Sequence, residues 1–304
     1  MLFTSRIIEK SCSNHFQRTE LQNQLFALCE ADTYPNLEEI IKIIGKGVDI
    51  NCTDHNGWTA LFLLAQWKKN GGDNLIDLIR YFIKNGANLN YKEQLGMNVL
   101  LLLCGSYQKE NLIDLIRLLI ENKIDVNCTD NDGSTALHLL CNSYQNINLI
   151  TAIQLLIQHG VGVNCKNNFG WNAIHFLCQN YRKENLIDTI QYLIDQGIEV
   201  NCQNNVGSTA LHLLCNNYQH ENLIDLIQLL IKNGIKVNSK DNNNRNALHI
   251  LCRQYRKRNL IEIIRLLIQN GSDVTEQTRI NLKMNNKNPE EIREITELLI
   301  LHMD

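Results

Sequence analysis

The stretch NLIDLIRLLIENKIDVNCTDNDGSTALHLLCNSYQ, from Asn111 to Gln145, decides the fold, because variants of it recur along almost the whole chain. An asparagine that follows an apolar residue marks the period. It recurs in steps of 37 residues, at Asn90, Asn127, Asn164, Asn201 and Asn238. The preceding step, from Asn51 to Asn90, is 39 residues, with the two extra ones in the stretch 68–73. A fixed period of this size is typical of a solenoid, so we look for function on a surface rather than in an enclosed pocket.

One unit, residues 127–163, shows what each repeat builds. The turn residues Asn131, Asp132 and Gly133 predict a short hairpin-like finger. Thr135 then suits the N-cap of an inner helix whose apolar stripe has the spacing i, i+3, i+4, i+7. After a loop, Asn148 is predicted to cap a second helix, and Gly160 to end it as a C′ glycine. The unit therefore predicts a finger followed by two helices.

At this point the residues resemble a known family. The hexapeptide GSTALH at residues 133–138 recurs at 207–212 and, in a close variant, at 170–175. It resembles the ankyrin-repeat motif G-x-T-P-L-H, with alanine in place of the proline. The resemblance implies an all-α ankyrin-repeat solenoid of stacked helix-turn-helix units with short β-hairpin-like fingers. It predicts a single domain over residues 1–304, with a capping repeat at each end (14–50 and 275–304) and six full repeats between them: 51–89, 90–126, 127–163, 164–200, 201–237 and 238–274.

The repeats are about four residues longer than the 33 that are usual in this family. The extra residues lie between the histidine and the second helix, and they include a tyrosine three residues after a buried-stripe cysteine. The tyrosines are Tyr107, Tyr144, Tyr181, Tyr218 and Tyr255. Because four residues make about one helical turn, we predict an inner helix one turn longer than usual, with a ladder of tyrosines inside.

Charge and cysteine usage narrow the class of protein. The formal net charge is −3, which gives no bulk cationic field and argues against nucleic acid as a partner. Equivalent cysteines among the 11 lie one repeat apart, too far for a disulfide, and indicate a reducing interior. The first residues show no secretory signal, and the longest apolar run, Val99–Cys104, is too short to span a bilayer. These features predict a cytoplasmic protein, or an effector that is secreted and then acts inside a host cell.

The sequence predicts no catalytic, metal or cofactor site. His138, His175, His212 and His249 form a column, but histidines one repeat apart cannot share a zinc ion. A cysteine and a histidine recur in each of these repeats, whereas a catalytic centre is not normally built four times. The resemblance implies that these histidines bond within and between repeats. We therefore predict a structural column and no enzyme.

A protein partner is the predicted ligand. In the family, contacts come mostly from the fingers and the exposed side of the inner helix, so large side chains there are candidate anchors. The predicted partner-binding residues are Trp58, Leu95, Met97, Phe169, Trp171, Val206 and Arg245. The alternative for each apolar residue is packing against the neighbouring finger. The sequence thus predicts a monomeric, non-enzymatic scaffold for protein–protein interaction.

Two other hypotheses remain. Asn127, Asn164 and Asn201 lie in a context that resembles the ankyrin sites modified by an asparaginyl hydroxylase. The basic cluster from Arg253 to Arg258 could bind an acidic partner or, weakly, nucleic acid, and otherwise is a solvated loop.

Overall fold

The computed structural model describes residues 19–30, 36–66, 75–283 and 289–302, and these residues form helices joined by turns. The helices are α1 (Glu20–Glu30), α2 (Leu37–Ile44), α3 (Ala60–Gln66), α4 (Leu75–Lys84), α5 (Val99–Ser106), α6 (Leu112–Glu121), α7 (Ala136–Ser143), α8 (Leu149–Gln158), α9 (Ala173–Asn180), α10 (Leu186–Asp195), α11 (Ala210–Asn217), α12 (Leu223–Lys232), α13 (Ala247–Gln254), α14 (Leu260–Gln269), α15 (Glu276–Lys283) and α16 (Pro289–Ile300). Within the described ranges, no helix is both long and apolar enough to cross a bilayer.

The helices stack in two layers. From α3 to α13 the odd-numbered inner helices contact one another in chain order, and from α4 to α14 the even-numbered outer helices do the same. Buried residues of all these helices form one continuous core. Each repeat therefore completes its core only against its neighbours, as a solenoid requires. This confirms the all-α repeat solenoid.

The start of each inner helix follows the sequence prediction and adds a contact to the end of the same repeat. Thr135 and Thr209 are N-caps, as expected from the motif. Where asparagine replaces threonine, the side chain also reaches the segment that follows the outer helix, since Asn172 Nδ2 donates to the Glu199 carbonyl at 3.3 Å. Asn98 Nδ2 does the same to the Asp125 carbonyl at 3.1 Å. These asparagines thus cap the inner helix and also join the two ends of their repeat.

The prediction of a longer inner helix was wrong. Helix α7 ends at Ser143, and Tyr144 follows as the C-cap with extended dihedral angles (φ −81°, ψ 101°). The extra residues form the loop before the second helix, not another helical turn. The tyrosine ladder was predicted correctly, because all five side chains are buried. Helical spacing could not distinguish the two cases, since a tyrosine at the C-cap projects onto the same buried stripe.

The prediction that Asn148 caps the second helix by its side chain was also wrong. Asn148 lies at the N-cap position but accepts no capping hydrogen bond there. The equivalent asparagines instead accept from the tyrosine hydroxyls: Tyr181 Oη donates to Asn185 Oδ1 at 2.6 Å. Asn185 Nδ2 in turn donates to the Ile147 carbonyl of the preceding repeat at 2.9 Å. The inserted loop is therefore held by a network of tyrosines and asparagines.

The ends of the chain are described in part. Asn36 caps α2, with Oδ1 accepting from the Glu38 N–H at 2.9 Å. Helix α16 begins at Pro289. Residues 1–18, 284–288 and 67–74, the last of which include the stretch with the two extra residues, lie outside the described residues. The repeat boundaries and the assignment of 14–50 and 275–304 as caps stay predictions.

Candidate protein-interaction surface

Each finger is a tight turn organised by one polar side chain, which is buried or half-buried. The fingers are numbered by repeat unit, with the predicted N-terminal capping repeat counted as the first. In the fourth finger, Asp130 Oδ1 accepts from the N–H groups of Asp132 at 3.0 Å and Ser134 at 2.7 Å. The Asp130 N–H donates to the Ser134 carbonyl and closes the turn. Gly133 has φ +74°, a region that side chains with a Cβ disfavour. The fingers are therefore fixed in shape by their own sequence.

Successive fingers are tied together at their tips. The Asn168 N–H donates to the carbonyl of Asp132 at 2.8 Å, and its Nδ2 donates to the Asn131 carbonyl at 3.0 Å. The same pair of bonds joins Asn205 to the fifth finger. We call the four residues whose carbonyls accept these N–H bonds the fingertip row; they are Leu95, Asp132, Phe169 and Val206. Hydrogen bonds therefore hold the fingertip row in one line across four repeats.

The seven predicted binding residues fall into two groups. Leu95, Phe169 and Val206 are exposed, at 47 %, 53 % and 60 % of their surface. The others are half-buried, namely Trp58, Met97, Trp171 and Arg245. The first three of those pack partly against the core, and Arg245 forms an ion pair with Asp241 at 2.7 Å. The seven residues thus include side chains that are exposed and side chains that pack against the core. Trp58 and Trp171 do both, because each is only partly buried.

An aromatic cluster lies beside the fifth finger. The Trp171 ring lies 5.0 Å, centre to centre, from that of Phe176 on α9, and 5.8 Å from His175. Phe176 also contacts His138 of the preceding repeat, at 5.7 Å in an edge-on arrangement. Trp171 and Phe176 remain half-exposed. Such rings offer apolar area with few rotatable bonds, which suits an interface anchor.

The position of Trp171 leaves a neighbouring polar group without a partner. In the fifth finger, the buried Asn167 donates from Nδ2 to Ser134 Oγ of the fourth finger at 3.4 Å. One repeat later, Asn204 is 5 % exposed, but Trp171 stands where an acceptor would be. Asn204 Oδ1 accepts from Val206 and Ser208, so Nδ2 is left buried without an acceptor among the described residues. An unpaired buried amide costs free energy, and the sequence has Trp171 at this position in spite of that cost.

The histidine column serves the repeat stack. His175 Nδ1 accepts from the Asn172 N–H at 3.2 Å, and Nε2 donates to the Ser208 carbonyl of the next repeat at 3.1 Å. A carbonyl can only accept, so Nε2 carries the proton and the ring is neutral. Burial lowers the pKa of His175 to about 4. It also lowers the pKa of the other three members, His138, His212 and His249. Both ring nitrogens of His175 are occupied, which leaves this side chain no lone pair for a metal.

The inner-helix cysteines are equally structural. Cys104, Cys141 and Cys215 are fully buried, and burial raises their thiol pKa. A buried thiol with a raised pKa is a poor nucleophile. Among the residues that the structure describes, no group of three or more His, Cys, Asp or Glu side chains is placed to hold a metal ion.

The basic cluster is partly used for the fold. Arg256 Nη1 donates to the Arg253 carbonyl at 2.6 Å, at the end of α13. Arg182 makes the same kind of contact two repeats earlier, with the Tyr181 carbonyl at 2.8 Å. A cation on the last carbonyls of a helix is a stabilising arrangement. One of the cluster's exposed cations is therefore a helix cap.

The three predicted hydroxylation sites differ in their bonding. Asn164 Nδ2 donates to the Gly197 carbonyl at 2.8 Å, and its Oδ1 accepts from the Glu199 N–H. Asn201 makes the equivalent two bonds, to the Gly234 carbonyl and from the Lys236 N–H. The exposed side-chain amide of Asn127 has no hydrogen bond among the described residues. In the repeat of Asn127, the residue equivalent to Glu199 is Gly162.

Three features of this surface were missed by the sequence analysis. Phe176 was not singled out because it lies on the helix stripe next to the core positions. Asp132 was taken only as a turn residue, although it shares its position with Leu95 and Phe169. The missing hydrogen bond of the Asn204 amide could be recognised only by knowing which residue of the preceding finger faces it. Comparing equivalent positions between repeats could have found Asp132.

Comparisons with known proteins agree with this geometry. A model described as ankyrin repeats (three copies) matches residues 103–203 and 181–278, and an ankyrin-repeat model matches residues 56–94. No curated protein has a matching sequence. The crystal structure of the ankyrin repeat domain of Bcl-3, a member of the IkappaB protein family, is similar with a TM-score of 0.58 and 21% identity. The match covers 82% of this chain and 99% of that one, and it supports the fold. Because the family models match more than half of its length, this chain belongs to the ankyrin-repeat family.

Proposed function

We propose that the chain is a non-enzymatic scaffold that binds a partner protein through the concave surface formed by the fingers and the exposed side of the inner helices. The ankyrin-repeat fold is typically a non-enzymatic interaction module. The observation that carries the proposal is Trp171, which keeps a half-exposed ring at the expense of the Asn204 hydrogen bond. Residues that break a local rule of stability are expected at functional sites.

The proposed site centres on the fifth repeat. Phe169, Trp171 and Phe176 form its aromatic part, and Leu95 and Val206 extend it along the fingers. Trp58, Met97 and Arg245 belong to the same surface, further along the stack. The fingers are held by hydrogen bonds before any partner arrives, so little ordering is needed on binding. We propose that the chain acts as a monomer in the cytoplasm and needs no cofactor for this role.

Alanine substitutions at the aromatic cluster test the proposal. We expect Trp171→Ala and Phe169→Ala each to weaken capture of the native partner from the source cell by at least about tenfold, because aromatic anchors dominate interfaces. Phe169 is mostly exposed, so its variant should keep the helical content and stability of the parent protein. Arg117→Ala, an exposed change on the outer helix α6, is the matched control and should bind normally. Equal capture by all variants would place the site elsewhere.

A second candidate function, as a substrate of an asparaginyl hydroxylase, is favoured by one observation. The Asn127 amide is unbonded, whereas Asn164 and Asn201 must each break two hydrogen bonds to enter an active site. Two such bonds cost about 2 kcal/mol. If the source cell contains the enzyme, we expect peptides from the native protein to carry an added oxygen at Asn127 more often than at Asn164 or Asn201. Asn238, bonded to Gly271, is the internal control. Modification concentrated at Asn164, Asn201 or Asn238, or its absence from Asn127, would contradict this.

The basic cluster remains a weaker hypothesis for nucleic-acid binding. Arg256 is engaged with a helix end, and the sequence carries a net negative charge. We therefore rank it below the protein-binding proposal.

A further inference from the structure

The fingertip row places one side chain per repeat in a fixed line. Leu95, Phe169 and Val206 are three of the large apolar residues that are exposed in the described part of the chain, and all occupy the same position of the finger. Asp132 occupies that position in the fourth repeat, which also contributes to the row. The row therefore reads apolar, acidic, apolar, apolar. Asn56 and Asn243 stand at the same position in the fingers before and after it.

The row is narrow. In the chain, each member of the row is preceded by an exposed amide side chain: Gln94, Asn131, Asn168 and Asn205. Each is followed by a half-buried turn glycine, such as Gly133 and Gly170. At the tip itself, each finger therefore presents one apolar or acidic side chain without an apolar neighbour in the chain. An amphipathic helix needs a wider apolar face, because its own apolar stripe spans at least about 100°.

The backbone N–H and carbonyl groups of the fingertip row already form hydrogen bonds within the protein. The Phe169 N–H donates to Asn167 Oδ1 at 3.0 Å, and the Phe169 carbonyl accepts from the Asn205 N–H at 3.0 Å. The N–H and carbonyl of Asp132 are occupied in the same way. A β-strand added to an edge requires free backbone groups on that edge. The row can therefore be recognised by side chains only.

The spacing of the row identifies the conformation of its ligand. Neighbouring helices, and with them neighbouring fingers, are about 8–10 Å apart. A polyproline II segment has three residues per turn and rises about 3.1 Å per residue, so every third side chain points the same way at a spacing of about 9 Å. In a β-strand, residues three apart point to opposite faces. A polyproline II segment also has no backbone hydrogen bonds to satisfy.

The carboxylate of Asp132 gives the fingertip row a negative charge. Asp132 is exposed, and within the described ranges it has no ion pair. Two finger cations on either side of it in the stack are engaged elsewhere, since Lys166 pairs with Glu199 at 3.2 Å and Lys92 donates to the Thr129 carbonyl at 3.2 Å. A ligand residue that faces Asp132 is therefore expected to carry a positive charge.

We propose that the fingertip row binds a partner segment in the polyproline II conformation that carries apolar, basic, apolar and apolar residues at every third position. The basic residue pairs with Asp132, and the apolar residues contact Leu95, Phe169 and Val206. This assignment rests on the proposed function and names the class of partner that the surface recognises. A disordered region of another protein, with proline between the contact residues, has the required chemistry.

Selection from a random peptide library on the full chain tests the assignment. With peptides of about twelve residues, we expect enrichment of apolar residues at three-residue spacing, with Lys or Arg at the second or third of four contact positions, depending on the direction of the segment. Selection on Asp132→Lys should replace the Lys or Arg by Asp or Glu. For a selected peptide, Asp132→Lys should lower the affinity at least about tenfold, and a Lys→Glu change in the peptide should restore it.

Controls separate the possible failures. Glu121→Lys makes the same charge change on the exposed end of α6 and should leave peptide affinity unchanged. Absence of enrichment, enrichment without a three-residue period, or a pattern unaffected by Asp132→Lys would overturn the assignment. If Trp171→Ala still abolishes capture of the native partner in that case, the proposed function stands and only the identity of the ligand is wrong.

Discussion

Replacing Tyr181 by alanine is expected to lower the free energy of unfolding by about 3 to 5 kcal/mol, the cost typical of removing a buried aromatic side chain. The Tyr181 side chain is fully buried. Its hydroxyl donates to Asn185 Oδ1 at 2.6 Å and lies 3.0 Å from the Asn146 carbonyl of the preceding repeat. Alanine would leave a cavity at the junction of two repeats and remove the group that anchors the inserted loop. Urea denaturation followed by far-UV circular dichroism measures the change.

Two further variants separate packing from hydrogen bonding. Tyr181→Phe keeps the ring and should cost only about 1 to 2 kcal/mol, the price of an unpaired buried acceptor. Tyr192→Ala removes a tyrosine that is half-exposed on the outer helix α10 of the same repeat, and should cost about 1 kcal/mol. A solenoid can unfold in parts, so a single transition must be confirmed for each variant. If Tyr181→Ala costs no more than Tyr192→Ala, the tyrosine ladder is not a main support of the stack.

The tyrosine ladder also shows what the sequence could and could not predict. The spacing of Tyr144 from Cys141 predicted burial, and the side chain is buried. The same spacing suggested a longer helix, but the chain leaves the helix at Tyr144, whose hydroxyl donates to the Lys109 carbonyl of the preceding repeat at 3.1 Å. A contact with a neighbouring repeat is not visible in the periodicity of one unit.

The binding surface was likewise predicted only in part from the sequence. Finger positions follow from the motif, and the exposure of Leu95, Phe169 and Val206 agrees with it. The half-burial of Trp171 depends on Phe176, which follows it on the inner helix. The missing partner of Asn204 depends on a residue one repeat earlier. Local patterns predicted the scaffold, whereas the chemistry of the surface arises from contacts between particular side chains, within one repeat or across two.

The histidine column should make the protein sensitive to acid. Burial lowers the pKa of His175 to about 4, against about 6.5 in an unfolded chain. Between these two values the unfolded chain binds more protons than the folded one, so stability rises with pH there. The contribution of neutral His175 to the free energy of unfolding is fully present above about pH 6.5. It is lost as the pH falls towards 4, where the loss reaches about 3 kcal/mol. The pKa of His138, His212 and His249 is also lowered, mainly by burial, so the losses have the same sign.

The substitution His175→Gln isolates this effect. Glutamine does not titrate, and its amide can accept from the Asn172 N–H and donate to the Ser208 carbonyl, as the neutral ring does. We expect the parent protein to lose roughly 2 to 3 kcal/mol more than the variant when the pH falls from 7 to 4.5. Urea midpoints at the two pH values measure it, and the difference between the proteins cancels the histidines and carboxylates that both retain. Parallel losses would mean that His175 takes up its proton at the same pH in the folded and the unfolded chain, and is therefore protonated in the folded chain at pH 4.5. A protonated Nδ1 would then point its hydrogen at the Asn172 N–H, and the bond that fixes the start of α9 could not exist as the structure has it.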